Sequence, residues 1–292
     1  MCDNKNYYIL ESATEEAIIE IITYARHELD FKVLLKPHID VLNGEWRGNV
    51  RPLTQKQNSW WESYDHFILK FAKIAEKLGV EMYSISTELN ALIGLKNEWK
   101  DLAIKTREVY NGKLVISANH DGAEWLGHNW ADVDYIGVDA YYDVFIGDKL
   151  NLDDKYGSIE LIKEKWQGII ERLQKLSQNN NNKPIVFTEL GYCHPILSFR
   201  CSQTLQPNQR DYHIISSWYY EAFFEAFAPY KDTWFKGVFW WNWTPDNAYG
   251  GDNDDCMTPQ WKLAEDVLRT YYGATLPKPE KPKTEPVCKC VL

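Results

Sequence analysis

The chain predicts an α/β fold, a (β/α)8 barrel of the TIM type, and three observations carry that expectation. Strand-like and helix-like segments alternate along nearly its whole length, no glycine-rich phosphate loop follows any strand, and almost every strand-like run turns polar or aromatic at its carboxyl end. Alternation of this kind requires a parallel sheet with crossover helices. The missing phosphate loop argues against an open doubly wound sheet, and polar strand ends are what a barrel uses to assemble its active site. About six strands are identifiable in the 292 residues.

The elements follow in order. Residues 14–29 carry Ala17, Ile18, Ile21, Ile22 and Ala25 at helical spacing, with Ser12 or Thr14 as the cap. Residues 32–40 read as a buried strand that becomes abruptly polar at Lys36, His38 and Asp40. An amphipathic helix over 60–78 is stopped by Gly79, and a strand over 80–88 follows. Next come a helix over 97–110, the turn Asn111-Gly112 and a strand over 114–119. Strands over 135–142, 184–192 and 237–243 then alternate with helices over 159–176 and 212–228, and 260–272 is the closing helix. The predicted domain is 1–273. The remaining 274–292, rich in Pro and Lys, is expected to be an extended, poorly ordered tail without a catalytic part.

Composition narrows the function. A net charge of -10 argues against nucleic acid or an anionic membrane surface, both of which are bound through clustered Lys and Arg. No apolar run approaches the roughly 20 residues of a membrane span. Aromatic residues make up 14%, with 13 Trp and 18 Tyr; such rings either pack a core or stack on the apolar faces of sugars. The expectation is a soluble monomer acting on an oligo- or polysaccharide.

The six cysteines (Cys2, Cys193, Cys201, Cys256, Cys288 and Cys290) match no zinc or CxxC spacing, and the scattered histidines supply no second ligand for His38 and Asp40, so neither metal nor cofactor is expected. Whether the cysteines form extracellular disulfides or stay as thiols is open at this level. The cysteine near the end is one residue too late for prenylation. The start, Met-Cys-Asp-Asn-Lys-Asn, has no apolar signal region, so an extracellular location would follow only from the function.

Two strand ends carry the chemistry. The run Met82-Tyr-Ser-Ile-Ser-Thr-Glu88 and the run Ile185-Val-Phe-Thr-Glu189 both finish in Thr-Glu-Leu. A lone glutamate at a strand end is commonly a surface or ion-pair residue. Two at equivalent positions make a catalytic pair of carboxylates, as glycoside hydrolysis requires. Lys36, His38 and Asp40, with Asn119, Asp139 and Tyr141 from later strand ends, are the candidate substrate-binding groups. Tyr141 or Tyr142 would hydrogen-bond the nucleophile. Trp46 and Arg47, in the loop after the first strand, and Tyr192 extend the set. Along Trp240-Trp-Asn-Trp243, alternation sends Trp241 and Trp243 to one side, where one of them floors a sugar subsite. Trp60 and Trp61 belong either to the same cleft or to the core.

These motifs together resemble glycoside hydrolase family 113, a group of β-mannanase-type enzymes in the large clan of retaining (β/α)8 glycosidases. The resemblance runs over 14–272, through Leu35-Lys-Pro-His-Ile-Asp40, Gly44-Glu-Trp-Arg-Gly48, Thr87-Glu-Leu89, Tyr135-Ile-Gly-Val-Asp-Ala-Tyr-Tyr142, Lys183-Pro-Ile-Val-Phe-Thr-Glu-Leu-Gly-Tyr192, and Gly250-Gly-Asp-Asn-Asp-Asp255 before Thr258-Pro-Gln260. It implies an acid/base at Glu88, a nucleophile at Glu189 and hydrolysis of internal β-1,4 linkages in mannan-like polysaccharides with retained configuration. Many clan members carry Asn immediately before the acid/base; Thr87 stands there in this chain, which makes Asn119 the candidate for the contact to the sugar 2-hydroxyl. A complete barrel of this type also has two strands ahead of the first helix, so the expected fold lacks its first two strands. A non-catalytic, vestigial carbohydrate-binding barrel, or a glycosidase for another β-glycan, is the alternative.

Overall fold

The computed structural model describes residues 13–122, 130–192, 209–244, 249–254 and 257–281. Its elements keep the expected order: α1 (Glu15–His27), β1 (Leu34–Leu35), α2 (Gln57–Lys77), β2 (Met82–Thr87), α3 (Lys96–Arg107), β3 (Lys113–Asn119), β4 (Tyr135–Asp139), α4 (Lys155–Asn179), β5 (Ile185–Leu190), α5 (Gln209–Phe227), β6 (Phe235–Trp240) and α6 (Leu263–Tyr271). The strands form one six-stranded sheet in sequence order. The β1/β2, β2/β3 and β3/β4 pairs are parallel, as crossover helices demand.

Local differences from the expected boundaries have physical causes. Strand β1 is two residues long, because Pro37 has no N–H for a ladder and 36–40 leaves the sheet as extended chain. Thr14 caps α1, its hydroxyl accepting from the Ala17 N–H at 3.2 Å, while Ser12, the other candidate, lies outside the described residues. Helix α2 ends at the left-handed Gly79 (φ 65°), whose N–H returns to the Glu76 carbonyl while that of Val80 returns to Ala75. Helix α6 starts at Leu263, not at 260, because Gln260 is committed to Thr244 and Trp261 sits at a positive φ of 55°.

The chain divides into two compact units, the described residues of Met1–Ala140 and Leu176–Thr188 forming one, those of Tyr141–Lys175 and Glu189–Leu292 the other. The first unit is organised around α2, whose Trp60, Tyr64, Phe67, Ile68 and Phe71 recur at the helical period and are buried. Trp60 stacks on Tyr64 with centroids 5.0 Å apart, and Trp61 meets Trp99 edge-on at 5.0 Å. Both tryptophans are core residues, which settles their alternative against the cleft. Buried tyrosines tie this helix to the strands: Tyr64 donates to the Ile85 carbonyl and Tyr83 to that of Ile68.

In the second unit Trp166 is fully buried among Tyr142, Phe223 and Phe227, and Trp240 at the end of β6 lies 4.5 Å from the Tyr220 ring. Contrary to the loose tail expected from composition, 274–281 is fastened to its own unit. Lys278 donates to the Lys262 carbonyl at 2.9 Å and pairs with Asp266 at 3.0 Å, while Lys281 donates to the Gly250 carbonyl and lies over the Trp261 ring. The six cysteines and 282–292 lie outside the described residues. No helix among the described residues is long and apolar enough to cross a membrane.

Candidate active site

In the first unit the polar groups gather where β1, β2, β3 and β4 end. Glu88 follows the last residue of β2 and holds a left-handed backbone, φ 51°. That conformation costs a non-glycine residue on the order of 1 kcal/mol, and it turns the carboxylate out of the strand's alternation. Backbone bonds on either side fix the turn: Glu88 N–H donates to the Ser117 carbonyl and Asn90 N–H to the Glu88 carbonyl, both at 2.8 Å. The carboxylate then receives one donor on each oxygen, Asn119 Nδ2 on Oε1 at 2.8 Å and Trp46 Nε1 on Oε2 at 3.1 Å. Asn119, the candidate for a sugar hydroxyl, is thus engaged with Glu88, while its Oδ1 accepts from the Asp121 N–H at 3.0 Å.

Lys36 and Asp139, both candidates for substrate contact, meet each other. Lys36 Nζ donates to the two Asp139 oxygens at 2.8 and 3.0 Å, and Thr188 Oγ1 donates to Oδ1 at 2.6 Å. Asp139 has no exposed surface, so it serves as the buried counter-ion that holds Lys36, not as a surface that meets a ligand.

Beside them Arg47 spreads its fork over His38 and Asp40, with Nη1 at 2.6 Å from His38 Nδ1 and Nη2 at 2.5 Å from an Asp40 oxygen. Burial, then the Lys36 and Arg47 charges, push the His38 pKa down to about 3. The neutral ring therefore offers Nδ1 as the acceptor for Arg47, and the trio is a rigid, oriented polar patch.

In the second unit Glu189 occupies the penultimate position of β5 and is 6% exposed. The Tyr141 hydroxyl donates to its Oε2 at 2.9 Å, the bond expected for one of the two tyrosines after β4; Tyr142 is buried against Trp166. Tyr192, a candidate for substrate contact, is packed into the core of this unit. Its ring is buried between Tyr219, Tyr220 and Trp240, and burial holds its hydroxyl far above the usual tyrosine range.

Beyond β6, Trp241 and Trp243 are 39% and 56% exposed. Gln260 steadies this stretch by pairing both ways with the Thr244 backbone: the Thr244 N–H donates to Oε1 and Nε2 donates to the Thr244 carbonyl, each at 2.8 Å. A side chain at Gly191 would come within 3.0 Å of the Trp241 carbonyl oxygen, so only glycine admits the neighbouring strand end there. Sequence reading missed Thr188, Gly191 and Gln260. The repeated Thr-Glu pair was the available signal for the first, and the other two stand within the Lys183–Tyr192 and Thr258–Gln260 motifs without a role of their own.

Among the described residues no group of three or more His, Cys, Asp or Glu side chains is placed to hold a metal ion.

The family model described as Glycoside Hydrolase Family 113 matches residues 4–257. A solved GH113 β-1,4-mannanase shares 24% identity and a TM-score of 0.73, over 91% of this chain and 82% of that one. The GH113 β-mannanase AaManA from Alicyclobacillus acidocaldarius shares 24% identity and a TM-score of 0.72, over 91% and 80%. More distant is a β-glucuronidase from Ruminococcus gnavus, 14% identical with a TM-score of 0.58 over 91% of this chain and 48% of that one. No curated protein sequence matches the chain. The fold is thus that of the TIM-barrel glycosidases, with six strands among the described residues. Matched by one family model over most of its length, the chain belongs to glycoside hydrolase family 113.

Proposed function

We propose that this glycoside hydrolase cleaves internal β-1,4 linkages of mannan-type polysaccharide with retention of configuration, Glu88 acting as acid/base and Glu189 as nucleophile. In the first step the Glu88 proton passes to the glycosidic oxygen as the C1–O bond breaks and a Glu189 oxygen bonds to C1. In the second, Glu88 takes a proton from water as that water attacks C1 and releases Glu189. Asn119 and Trp46 hold the acid/base, and Tyr141 holds the nucleophile. Trp241 and Trp243 are the proposed platform for pyranose rings. Lys36 and the His38–Asp40–Arg47 patch are the proposed hydroxyl contacts.

The observation that carries the reading is that both Thr-Glu-Leu strand ends present a glutamate held by side-chain donors, on a chain of this family. The mannan preference is supported by the mannanases that share the fold. The test is release of reducing sugar from mannan, cellulose and xylan by wild type, Glu88→Ala and Glu189→Ala. Turnover of mannan, with a loss on the order of a thousandfold or more in Glu189→Ala, is expected. A folded wild type that turns over none of the three, or a Glu189→Ala variant close to wild type, would refute the reading.

A further inference from the structure

We propose that Gly48 is a positioning residue for the acid/base carboxyl: the space left by its missing side chain is where the Trp46 ring lies, and that ring carries the N–H bonded to Glu88. The inference rests on the reading of Glu88 as acid/base and adds to it the device that sets where this carboxyl points.

Two glycines flank the Trp46 loop, and the structure separates their reasons. Gly44 has a φ of 78° and nothing within 4 Å of where a side chain would be, so it is glycine for its backbone conformation. Gly48 is the opposite case. It lies in the short 3₁₀ turn Arg47–Asn49, outside the left-handed region, and any residue could adopt its backbone. A Cβ placed there, however, would come within 3.0 Å of three carbons of the Trp46 six-membered ring, Cη2, Cζ3 and Cζ2. Gly48 is buried beneath a ring whose residue is 42% exposed.

Trp46 therefore rests on bare backbone on one side and reaches Glu88 Oε2 through Nε1. A methyl group at position 48 must lift the ring, and lifting the far edge of an indole swings Nε1 away from the carboxylate. Glu88 already holds a left-handed backbone and an Asn119 bond on Oε1. With Trp46 displaced, one of its two oxygens loses the donor that fixes its direction, and proton delivery to a leaving oxygen depends on that direction.

The consequence is selective. Departure of a poor leaving group, such as a sugar alkoxide, needs the proton; departure of dinitrophenolate does not. Gly48→Ala and Trp46→Phe should each lower kcat/KM on an unactivated β-mannooligosaccharide by roughly 10- to 100-fold, and on the dinitrophenyl β-mannoside by less than about threefold. Because Gly48 acts through Trp46, the double variant should match Trp46→Phe instead of multiplying the two losses. Thermal unfolding of each variant shows whether the loop change has cost the fold, and Trp46→Phe keeps Gly48 in place.

Equal losses on both substrates, or multiplicative losses in the double variant, would overturn the proposal. Glu88→Gln serves as the reference. If it too loses both substrates equally, the acid/base assignment fails, which is distinct from failure of the Gly48 role.

Discussion

The Tyr141 hydroxyl donates to Glu189 Oε2 at 2.9 Å, binding the second residue after β4 to the penultimate residue of β5 within one unit. A hydrogen bond to a charged carboxylate contributes about 1.5–3 kcal/mol, and here it orients the carboxylate of the proposed nucleophile. Tyr141→Phe is expected to lower kcat/KM roughly tenfold while leaving the thermal midpoint close to wild type. Steady-state kinetics beside a melting curve check both halves.

Asp139 and Thr188 should behave as the scaffold that holds Lys36. Asp139 is fully buried, and its carboxylate faces the Lys36 ammonium, whose side chain is 9% exposed. Asp139→Ala removes the counter-ion from a buried charge and is expected to cost about 3–5 kcal/mol of stability. Thr188→Val, which removes one neutral donor to that carboxylate, should cost about 1–2 kcal/mol. Denaturant unfolding of the two variants gives the order directly.

His38 makes stability fall on acidification. Its folded pKa is depressed to about 3, below the ordinary value of about 6.5, so between these values the unfolded chain binds a proton that the folded chain refuses. Stability from this group is complete above about pH 6.5 and is lost as pH falls toward 3, at roughly 1 kcal/mol per pH unit. His38→Gln has no such proton to refuse and should flatten that part of the curve. Unfolding free energies at pH 7, 5.5 and 4 for both proteins measure the difference.

Gln260 couples the loop before α6 to the aromatic platform. Gln260→Ala removes both bonds to the Thr244 backbone, next to Trp243, and should cost about 2 kcal/mol. It should also raise KM on mannooligosaccharides more than it lowers kcat, if the proposed platform binds substrate. Lys281→Met, which releases the tail from the Gly250 carbonyl, should act in the same direction more weakly. Kinetics on oligosaccharides of increasing length separate KM from kcat.

What could be read from sequence follows from the range of the forces involved. Apolar runs and helical stripes are local, so each strand and helix lay close to where its pattern placed it, and Glu88, Glu189 and Trp243 were visible as polar or aromatic endings of such runs. Pro37 shortened β1 because one missing N–H outweighs a strand-like run around it. Trp60 and Trp61 were ambiguous because a buried stripe and a cleft wall use the same rings. Side-chain pairing is the part that local pattern does not carry. Lys36 and Asp139 stand 103 residues apart and Trp46 and Glu88 42 apart, and their partnership depends on strand order and loop path. Gly48 is the extreme case, since its role is a volume that appears only when the ring above it is in place.

The central claim is that Glu189 is the nucleophile of a retaining glycosidase, and trapping its covalent intermediate tests this most directly. Incubation with a 2-deoxy-2-fluoro β-mannosyl donor carrying a dinitrophenyl leaving group forms an ester that turns over slowly, because the fluorine destabilises the oxocarbenium-like transition state of its hydrolysis. Intact-protein mass spectrometry should show one added fluorosugar, and peptide mapping should place it on Glu189. A label on any other carboxylate, or an unlabelled protein that still hydrolyses mannan, would contradict the account.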